Sequence, residues 1–279
     1  MRQKMQNFWK AVRAELEENK NTFLVYTGLR FLVICVMILQ IFNGNYQNVF
    51  LCLITLVLMI IPSVIQAAFK VEFPSPLEIV ILVFIFAAEI LGEISAFYIR
   101  FPYWDTILHT LNGFLCAALG LSLVDLMNRQ KKMLFELSPL FMAIVAFCFS
   151  MTIGVFWEFF EFAMDFFCEL DMQKDTVVHV ISSTFLDPLR DNNSIIIRDI
   201  QNVSVNGEML DVNGYLDIGL YDTMMDLVVN FIGAIIFSVA GYFYIKRRDQ
   251  NSLIKGLVPE PWSEEKLSLQ QEYEKETKE

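Results

Sequence analysis

Carboxylate side chains recur at helical spacing within stretches of this sequence that are otherwise strongly apolar. Glu89 and Glu93 are about one helical turn apart, and Glu158, Glu161 and Asp226 lie in two later apolar stretches. A charged side chain at the centre of a membrane-spanning helix costs roughly 3 kcal/mol even on a lenient insertion scale. Bound cations, shared protons or a water-filled cavity are the three ways to offset that cost.

The types of residue in these stretches favour a bound cation. Carboxylate oxygens with a single imidazole suit Mg²⁺, Mn²⁺, Ca²⁺, Fe²⁺ or Zn²⁺. The sequence therefore predicts a divalent metal ion as the cofactor, without deciding which one. The predicted ligands are Glu89, Glu93, His109, Glu158, Glu161 and Asp226, and the predicted outer ligands or hydrogen-bond partners are Asp105, Asp165, Asp222, Asn230 and Asn112.

Some members of this set have simpler interpretations. Asp105 and Asp222 stand where helices are predicted to begin, and Asp is a favoured residue at a helix N-terminus. Asp165 alternatively reaches the headgroup region, and His109 alternatively bonds to a neighbouring helix. The Glu-x-x-His spacing of di-iron helical bundles is absent. No Ser-His-Asp or Cys-His arrangement is present either, so the catalytic residues, and whether the protein is an enzyme, stay open.

The elements that must position these residues are membrane-spanning helices. The chain is 55% hydrophobic and contains 26 Phe residues, which is more apolar surface than a soluble domain of this length can bury. We predict an all-α, polytopic fold of about six transmembrane helices, each long enough for a hydrocarbon core of about 30 Å. The predicted spans are residues 22–43, 47–69, 76–98, 105–127, 138–168 and 222–245.

The distribution of Lys and Arg predicts the orientation of these spans. Basic residues are frequent before the first span, between spans four and five, and after the last span, whereas the 44–46 turn has none. Both termini are therefore expected in the cytoplasm, which places the predicted ligands in the outer halves of four helices. The net charge of −11 argues against nucleic-acid binding and leaves the lipid bilayer as the expected partner.

Three regions outside the spans have their own patterns. Residues 1–21 are predicted to form a cytoplasmic or interfacial amphipathic helix, and residues 246–279 a charged cytoplasmic tail that is disordered or a solvated helix. The outer loop, 169–221, contains the strand-like runs "SIIIRDI", "VSV" and "YLDI" and the turn signals Asn206-Gly207 and Asn213-Gly214. It is predicted to be a small β-containing insertion in the transmembrane domain, 22–245.

Two segments of the sequence echo each other. "YWDTILHTLNG" and "LYDTMMDLVVN" share an aromatic-Asp-Thr start, and each follows a span with paired glutamates. Together with "GVFWEFFEFAMD", they resemble the YjdF-like family of bacterial polytopic membrane proteins. Asp105, His109, Glu158, Asp222, Asp226 and Asn230-x-x-Gly233 more remotely resemble the polar signature of VanZ-like proteins, which are associated with the cell envelope. The resemblance implies a bacterial plasma-membrane protein and supplies no reaction.

Three functional hypotheses follow from this sequence. In the first, an outward-facing carboxylate and His cluster binds a divalent cation that acts on an envelope lipid or its phosphate. The second is a cation- or proton-coupled transporter, which requires polar residues in the cytoplasmic half. Asp125 is the one such candidate that we recognise from the sequence. The third is a structural or accessory envelope protein without catalysis, in which the acids line a wet vestibule.

Overall fold

The computed structural model describes residues 20–129, 137–247 and 252–262, and the account below concerns these residues. They are mostly helical, with α1 Lys20–Phe42, α2 Tyr46–Leu58, α3 Ile61–Phe69, α4 Ser75–Phe86, α5 Phe97–Arg100, α6 Trp104–Arg129, α7 Pro139–Cys168 and α8 Leu220–Arg247. A π-helical segment, Ala87–Ile94, continues directly from α4. The predicted amphipathic helix and most of the predicted tail lie outside the described residues.

Within the described residues, five helical stretches are long and apolar enough to cross a membrane. They are Thr22–Phe42, Tyr46–Ala68, Trp104–Asn128, Pro139–Cys168 and Leu220–Arg247. The polytopic all-α membrane fold predicted from the sequence is therefore confirmed. Many large side chains on these helices, such as Phe31, Phe50 and Phe162, are more than half exposed, as expected for surfaces that contact lipid.

The remaining predicted span is divided between α4 and the π-helical segment, which together cover residues 75–94. This run is not among the five long apolar stretches, so its crossing of the membrane stays a prediction. Strand β1, Val71–Glu72, pairs antiparallel with β8, Glu260–Pro261, and in a membrane an even number of crossings must separate two paired strands. If α6, α7 and α8 each cross once, the 75–94 run supplies the fourth crossing.

Local signals set the ends of these helices. Gly44 has a φ of +70° in the turn after α1, a conformation that costs glycine little. The side chain of Asn45 then accepts a hydrogen bond from the Asn48 backbone N–H, 3.1 Å away, and caps α2. Lys70, in the left-handed conformation, ends α3. The two short turns thereby hold α1, α2 and α4 side by side.

The chain divides into two structural units, residues 1–151 with 230–279, and residues 152–229. The first unit contains three clusters of buried apolar side chains. One joins α1, α2 and the α4–π run through Tyr26, Val33, Cys52, Met59, Leu82 and Ile90. A second joins α6, α7 and α8 through Ala117, Ala118, Leu121, Met142, Ala146, Phe237, Tyr244 and Ile245. The third surrounds Val71, Phe73, Leu77 and Leu115.

The second unit contains the loop between α7 and α8, which forms three two-stranded ribbons. The strands are β2 Val177–Val178, β3 Ile181–Ser183, β4 Ile195–Ile197, β5 Ser204–Val205, β6 Glu208–Met209 and β7 Tyr215–Leu216. β2 pairs with β7, β3 with β4, and β5 with β6, all antiparallel. Asn206 and Gly207, both with positive φ, join β5 to β6, as the turn signal predicts. The expected β-containing insertion is therefore present.

A segment after α8 lies against the loop that follows α3. A 3₁₀ turn, Leu253–Leu257, precedes β8, and Val258 and Trp262 are buried. The Trp262 backbone N–H donates to the Lys70 carbonyl at 3.0 Å, and its indole N–H donates to the Val71 carbonyl at 3.0 Å. The start of the charged tail is thus docked on the membrane domain, a contact that the sequence reasoning missed.

Candidate metal centre

Three buried carboxylates of the second unit converge at a point between α7 and α8. Glu158, Glu161 and Asp226 are 4%, 7% and 5% exposed, and each offers an oxygen that lies within 4.8 Å of the oxygens of the other two. We call these three residues the carboxylate trio. Helix periodicity explains the grouping, because positions three apart on α7 share one face.

The separations within the carboxylate trio fit an oxygen-bound cation. Two ligands on opposite sides of one ion are separated by twice the metal–oxygen distance, about 4.1 Å for Mg²⁺ and about 4.8 Å for Ca²⁺. Because the three oxygens lie within 4.8 Å of one another, an ion of the size of Ca²⁺ can contact all three. Three carboxylates so close together repel one another strongly when ionised, and a bound cation, shared protons or surrounding polar groups and water offset such repulsion.

Trp157 directs one member of the carboxylate trio. Its indole N–H donates to Oε1 of Glu161 at 2.9 Å. The bond fixes the rotamer of the carboxylate and places an aromatic ring beside the trio. Sequence reasoning missed this role, since Trp157 appears in the sequence only as one of many aromatic residues on α7.

Asp165 and Asp222 hold the loop where it leaves and re-enters the helices. Asp165 accepts backbone N–H groups from Met172 and Gln173 at 2.6 and 2.8 Å. Asp222 accepts the Lys174 backbone N–H at 2.7 Å. Both were predicted as outer ligands, with a helix cap as the alternative for Asp222. These hydrogen bonds tie residues 172–174 to the C-terminal end of α7 and the N-terminal end of α8.

Three loop aspartates have perturbed acidities. Burial raises the pKa of Asp217, but the backbone N–H groups of Thr176, Tyr221 and Gly219 outweigh it and leave the pKa lowered. The pKa of Asp187 is lowered by backbone N–H groups, that of Asn193 most. The pKa of Asp175 is raised, first by partial burial and then by repulsion from neighbouring aspartates. The loop therefore presents a negative surface whose turns are fixed by carboxylates.

Two pairs of the predicted ligand residues lie in the first unit. Nε2 of His109 lies 3.5 Å from Oδ1 of Asp105, one turn earlier on α6, and His109 is buried. Glu89 and Glu93 both lie on the π-helical segment, where Glu89 is half-buried and Glu93 is exposed. π-Helical turns occur often at functional sites, so the π-helical geometry of this segment keeps Glu89 and Glu93 as candidate functional residues.

Asn112 and Asn230 join α6 to α8. The Asn112 side-chain amide donates to Oδ1 of Asn230 at 3.3 Å, and Asn230 is completely buried. This contact is possible because two glycines bring the helices together. A Cβ added at Gly113 would lie 2.1 Å from the Asn230 carbonyl oxygen, and one at Gly233 would lie 2.0 Å from the Thr110 carbonyl oxygen. Small residues at membrane helix crossings allow such close approach.

A third helix joins this crossing. The Ser150 hydroxyl on α7 donates to the Gly113 carbonyl at 2.7 Å, and the Asn230 amide points to the Met151 sulfur at 3.6 Å. Asn112 and Asn230, predicted as outer ligands or hydrogen-bond partners of ligands, thus have a clear structural role at the junction of α6, α7 and α8.

Two buried acids lie towards the ends of helices on the side of β1 and β8. Glu78 in the first turn of α4 is 5% exposed, and its Oε1 accepts the Gln66 side-chain amide at 3.4 Å. Asp125, the inner-half candidate from the sequence, is 3% exposed. Glu78 was missed because an acid in the first turn of a helix is usually a solvated, dipole-stabilising residue.

The family comparison agrees with this picture. Residues 25–247 match the model of a family described as "Predicted membrane protein (DUF2238)". The chain belongs to this family. The match overlaps every predicted span and is consistent with the resemblance to YjdF-like proteins, whereas the remoter resemblance to VanZ-like proteins stays a prediction. No curated protein and no solved structure matches the chain significantly.

Proposed function

We propose that this protein is a multi-pass protein of the bacterial plasma membrane that binds a divalent cation at Glu158, Glu161 and Asp226. Both termini face the cytoplasm in this proposal, and the cation lies near the outer surface. There it acts on, or holds, the phosphate of an envelope lipid. The observation that carries the proposal is the convergence of three buried carboxylates within 4.8 Å of one another.

The depth of the carboxylate trio supports a role at the membrane surface. Asp226 is six residues into α8, and Glu161 is seven residues from the end of α7. At a rise of 1.5 Å per residue these positions are about 9–11 Å from the helix ends. α7 has 30 residues, so it is longer than the hydrocarbon core and either tilts or protrudes. A cation at this depth is within reach of lipid headgroups and of water.

The chemistry of such a cation suits a phosphate ligand. A divalent ion held by carboxylates keeps open positions for water or phosphate oxygens, and it can act as a Lewis acid towards a phosphoryl group. When ionised, the three carboxylates of the trio neutralise one divalent ion and leave negative charge in excess. The negative loop above it disfavours free anions, which favours a lipid whose tail anchors it beside the helices.

A second candidate, cation- or proton-coupled transport, is favoured by one observation. Glu78 and Asp125 are buried carboxylates on helices of the first unit, in the half of the spans that the sequence predicts to be cytoplasmic. A transporter needs ionisable groups at both ends of its path. The test is flux of protons or divalent ions into proteoliposomes. Flux that is lost when the carboxylate trio and Glu78 are substituted would support transport over action on a lipid phosphate.

The proposed cation site is tested by the metal content of the purified protein. Mass spectrometry of the metal is compared for wild type, Glu158→Gln and the matched control Glu208→Gln, an exposed glutamate on β6. We expect one metal per chain in wild type and in the control, and a loss of at least tenfold in Glu158→Gln with the helical content unchanged. Metal retained in a folded Glu158→Gln protein would contradict the proposal.

The other predicted ligands are tested in the same assay. Glu89→Gln, Glu93→Gln and His109→Ala lose metal if these residues bind it, and retain it if the carboxylate trio is sufficient. Release of phosphate from purified envelope lipids by the metal-loaded protein separates an enzyme from an accessory protein. The orientation is tested by reporter fusions at the two termini and by insertion of a tag after Gly207.

A further inference from the structure

Arg30 places a positive charge well inside the first membrane-spanning helix. The span covers Thr22–Phe42, so the Arg30 backbone lies about 12 Å along the helix from its start. A guanidinium stays charged at any pH that a protein experiences. Arginines in membrane spans are rare, and those that occur have partners that offset the charge.

The structure gives the Arg30 side chain one protein partner, Tyr26. Nη1 donates to the Tyr26 hydroxyl, and Cζ lies 5.1 Å from the centre of the Tyr26 ring. Among the residues that the structure describes, no carboxylate pairs with Arg30. Tyr26 is one turn closer to the N-terminus, so the guanidinium is directed back towards that end of the span, as long cationic side chains in membranes usually are.

The surroundings hold this guanidinium in place. Tyr26 is 6% exposed and, like Val33 on the same face of α1, belongs to the buried cluster with Cys52 and Leu82. Arg30 itself is half-buried. Its tyrosine partner is therefore packed in the core, while part of the Arg30 residue remains accessible at the surface of the helices.

The guanidinium N–H groups of Arg30 that do not bond to Tyr26 define the chemistry of a ligand. An arginine has five N–H groups in a planar fork, and the Tyr26 hydroxyl takes one of them. A planar fork with several remaining donors matches two oxygens of a phosphate group, and a bidentate contact of this kind is both strong and directional. A phosphate also supplies the negative charge that the described residues do not.

We propose that Arg30 and Tyr26 form a binding position for the phosphate group of an anionic phospholipid, in the leaflet that faces the N-terminal end of α1. A lipid is the source because the site opens from a membrane span, where a free phosphate ion would have to leave water. The position is on α1 and is independent of the carboxylate trio, so failure of either proposal leaves the other standing.

The test measures retention of lipid by the purified, full-length protein. Native mass spectrometry in detergent micelles that contain equal amounts of phosphatidylglycerol and phosphatidylcholine is applied to wild type, Arg30→Gln, Tyr26→Phe and the control Arg100→Gln. Arg100 is an exposed arginine at the end of α5. Tyr26→Phe keeps the charge and the ring but removes the hydroxyl that orients the guanidinium.

We expect wild type and Arg100→Gln to retain one phosphatidylglycerol, and Arg30→Gln to bind it at least about tenfold more weakly, as loss of a charge-assisted hydrogen bond implies. Tyr26→Phe should show a several-fold weakening. Equal retention of phosphatidylglycerol by wild type and Arg30→Gln would overturn the proposal, as would its absence from wild type. Displacement of the lipid by millimolar inorganic phosphate would overturn the assignment to a lipid.

Discussion

The crossing of α6 and α8 predicts a large penalty for adding a single methyl group. In Gly233→Ala, the new Cβ would lie 2.0 Å from the Thr110 carbonyl oxygen and 2.9 Å from the Phe114 backbone nitrogen, and both distances are shorter than normal contact, the first by more than about 1 Å. Both neighbours are backbone atoms of a helix and cannot rotate away. The two helices must therefore separate, which also breaks the hydrogen bond between Asn112 and Asn230.

The magnitude follows from three contributions. Forcing a well-packed contact apart costs about 2–3 kcal/mol, and loss of one interhelical hydrogen bond in a membrane costs about 0.6 kcal/mol. The higher helix propensity of alanine returns up to about 1 kcal/mol. We expect Gly233→Ala to lower the free energy of unfolding by about 2 kcal/mol on balance.

The assay is unfolding by sodium dodecyl sulfate in mixed micelles, followed by circular dichroism. Gly28→Ala in α1 is the matched control, because an added Cβ there has no atom within 4 Å, and it should leave stability unchanged or raise it by up to about 1 kcal/mol. Gly113→Ala should resemble Gly233→Ala, and the double variant should cost less than the sum, since both act on one separation. Equal unfolding of Gly233→Ala and wild type would refute the reasoning.

Two further predictions concern segments outside the membrane. The pKa of Asp187 is lowered by its backbone N–H partners. The stability that its carboxylate gives the loop is therefore complete above the pKa of the unfolded state, about 3.9, and is lost as the pH falls through the pKa of the folded state. Limited pepsin digestion should cut near the exposed Leu189 in wild type only in that acidic range, and in Asp187→Ala throughout the range in which pepsin acts. In Trp262→Ala, loss of a buried indole should cost about 3 kcal/mol of local stability. Hydrogen exchange would detect this loss as faster exchange of the backbone amides at positions 71 and 262, and unchanged exchange there would contradict the docked arrangement.

The helices and loop strands were predictable because their signals are local. Runs of about 20 apolar residues predict spans, and the Asn206-Gly207 dipeptide predicts a hairpin turn whatever the rest of the fold. The π-helical segment was not predicted, since Ala87–Ile94 has the composition of an ordinary transmembrane helix. Only the packing around this segment distinguishes a π-helix from an ordinary α-helix.

The candidate site was predictable in part. The i, i+3 spacing of Glu158 and Glu161 predicts a shared face, and the charge asymmetry of the loops predicts that Asp226 lies at a similar depth. The hydrogen bonds from the backbone of Met172 and Gln173 to Asp165 depend on the path of a long loop, which no local pattern encodes. The docking of Trp262 was missed for the same reason: its partners at residues 70–71 are distant in sequence.

Terbium luminescence can detect a cation bound between Glu158, Glu161 and Asp226. Tb³⁺ takes oxygen ligands as Ca²⁺ does, and it emits when a nearby tryptophan transfers energy to it. Trp157 donates a hydrogen bond to Glu161 at 2.9 Å, so a bound Tb³⁺ would lie beside its ring.

We expect saturable luminescence in wild type and Glu208→Gln, and its loss in Glu158→Gln. In Trp157→Phe the emission should fall strongly while one terbium per chain remains bound. Undiminished emission from a folded Glu158→Gln protein, or none from wild type at millimolar terbium, would contradict the claim.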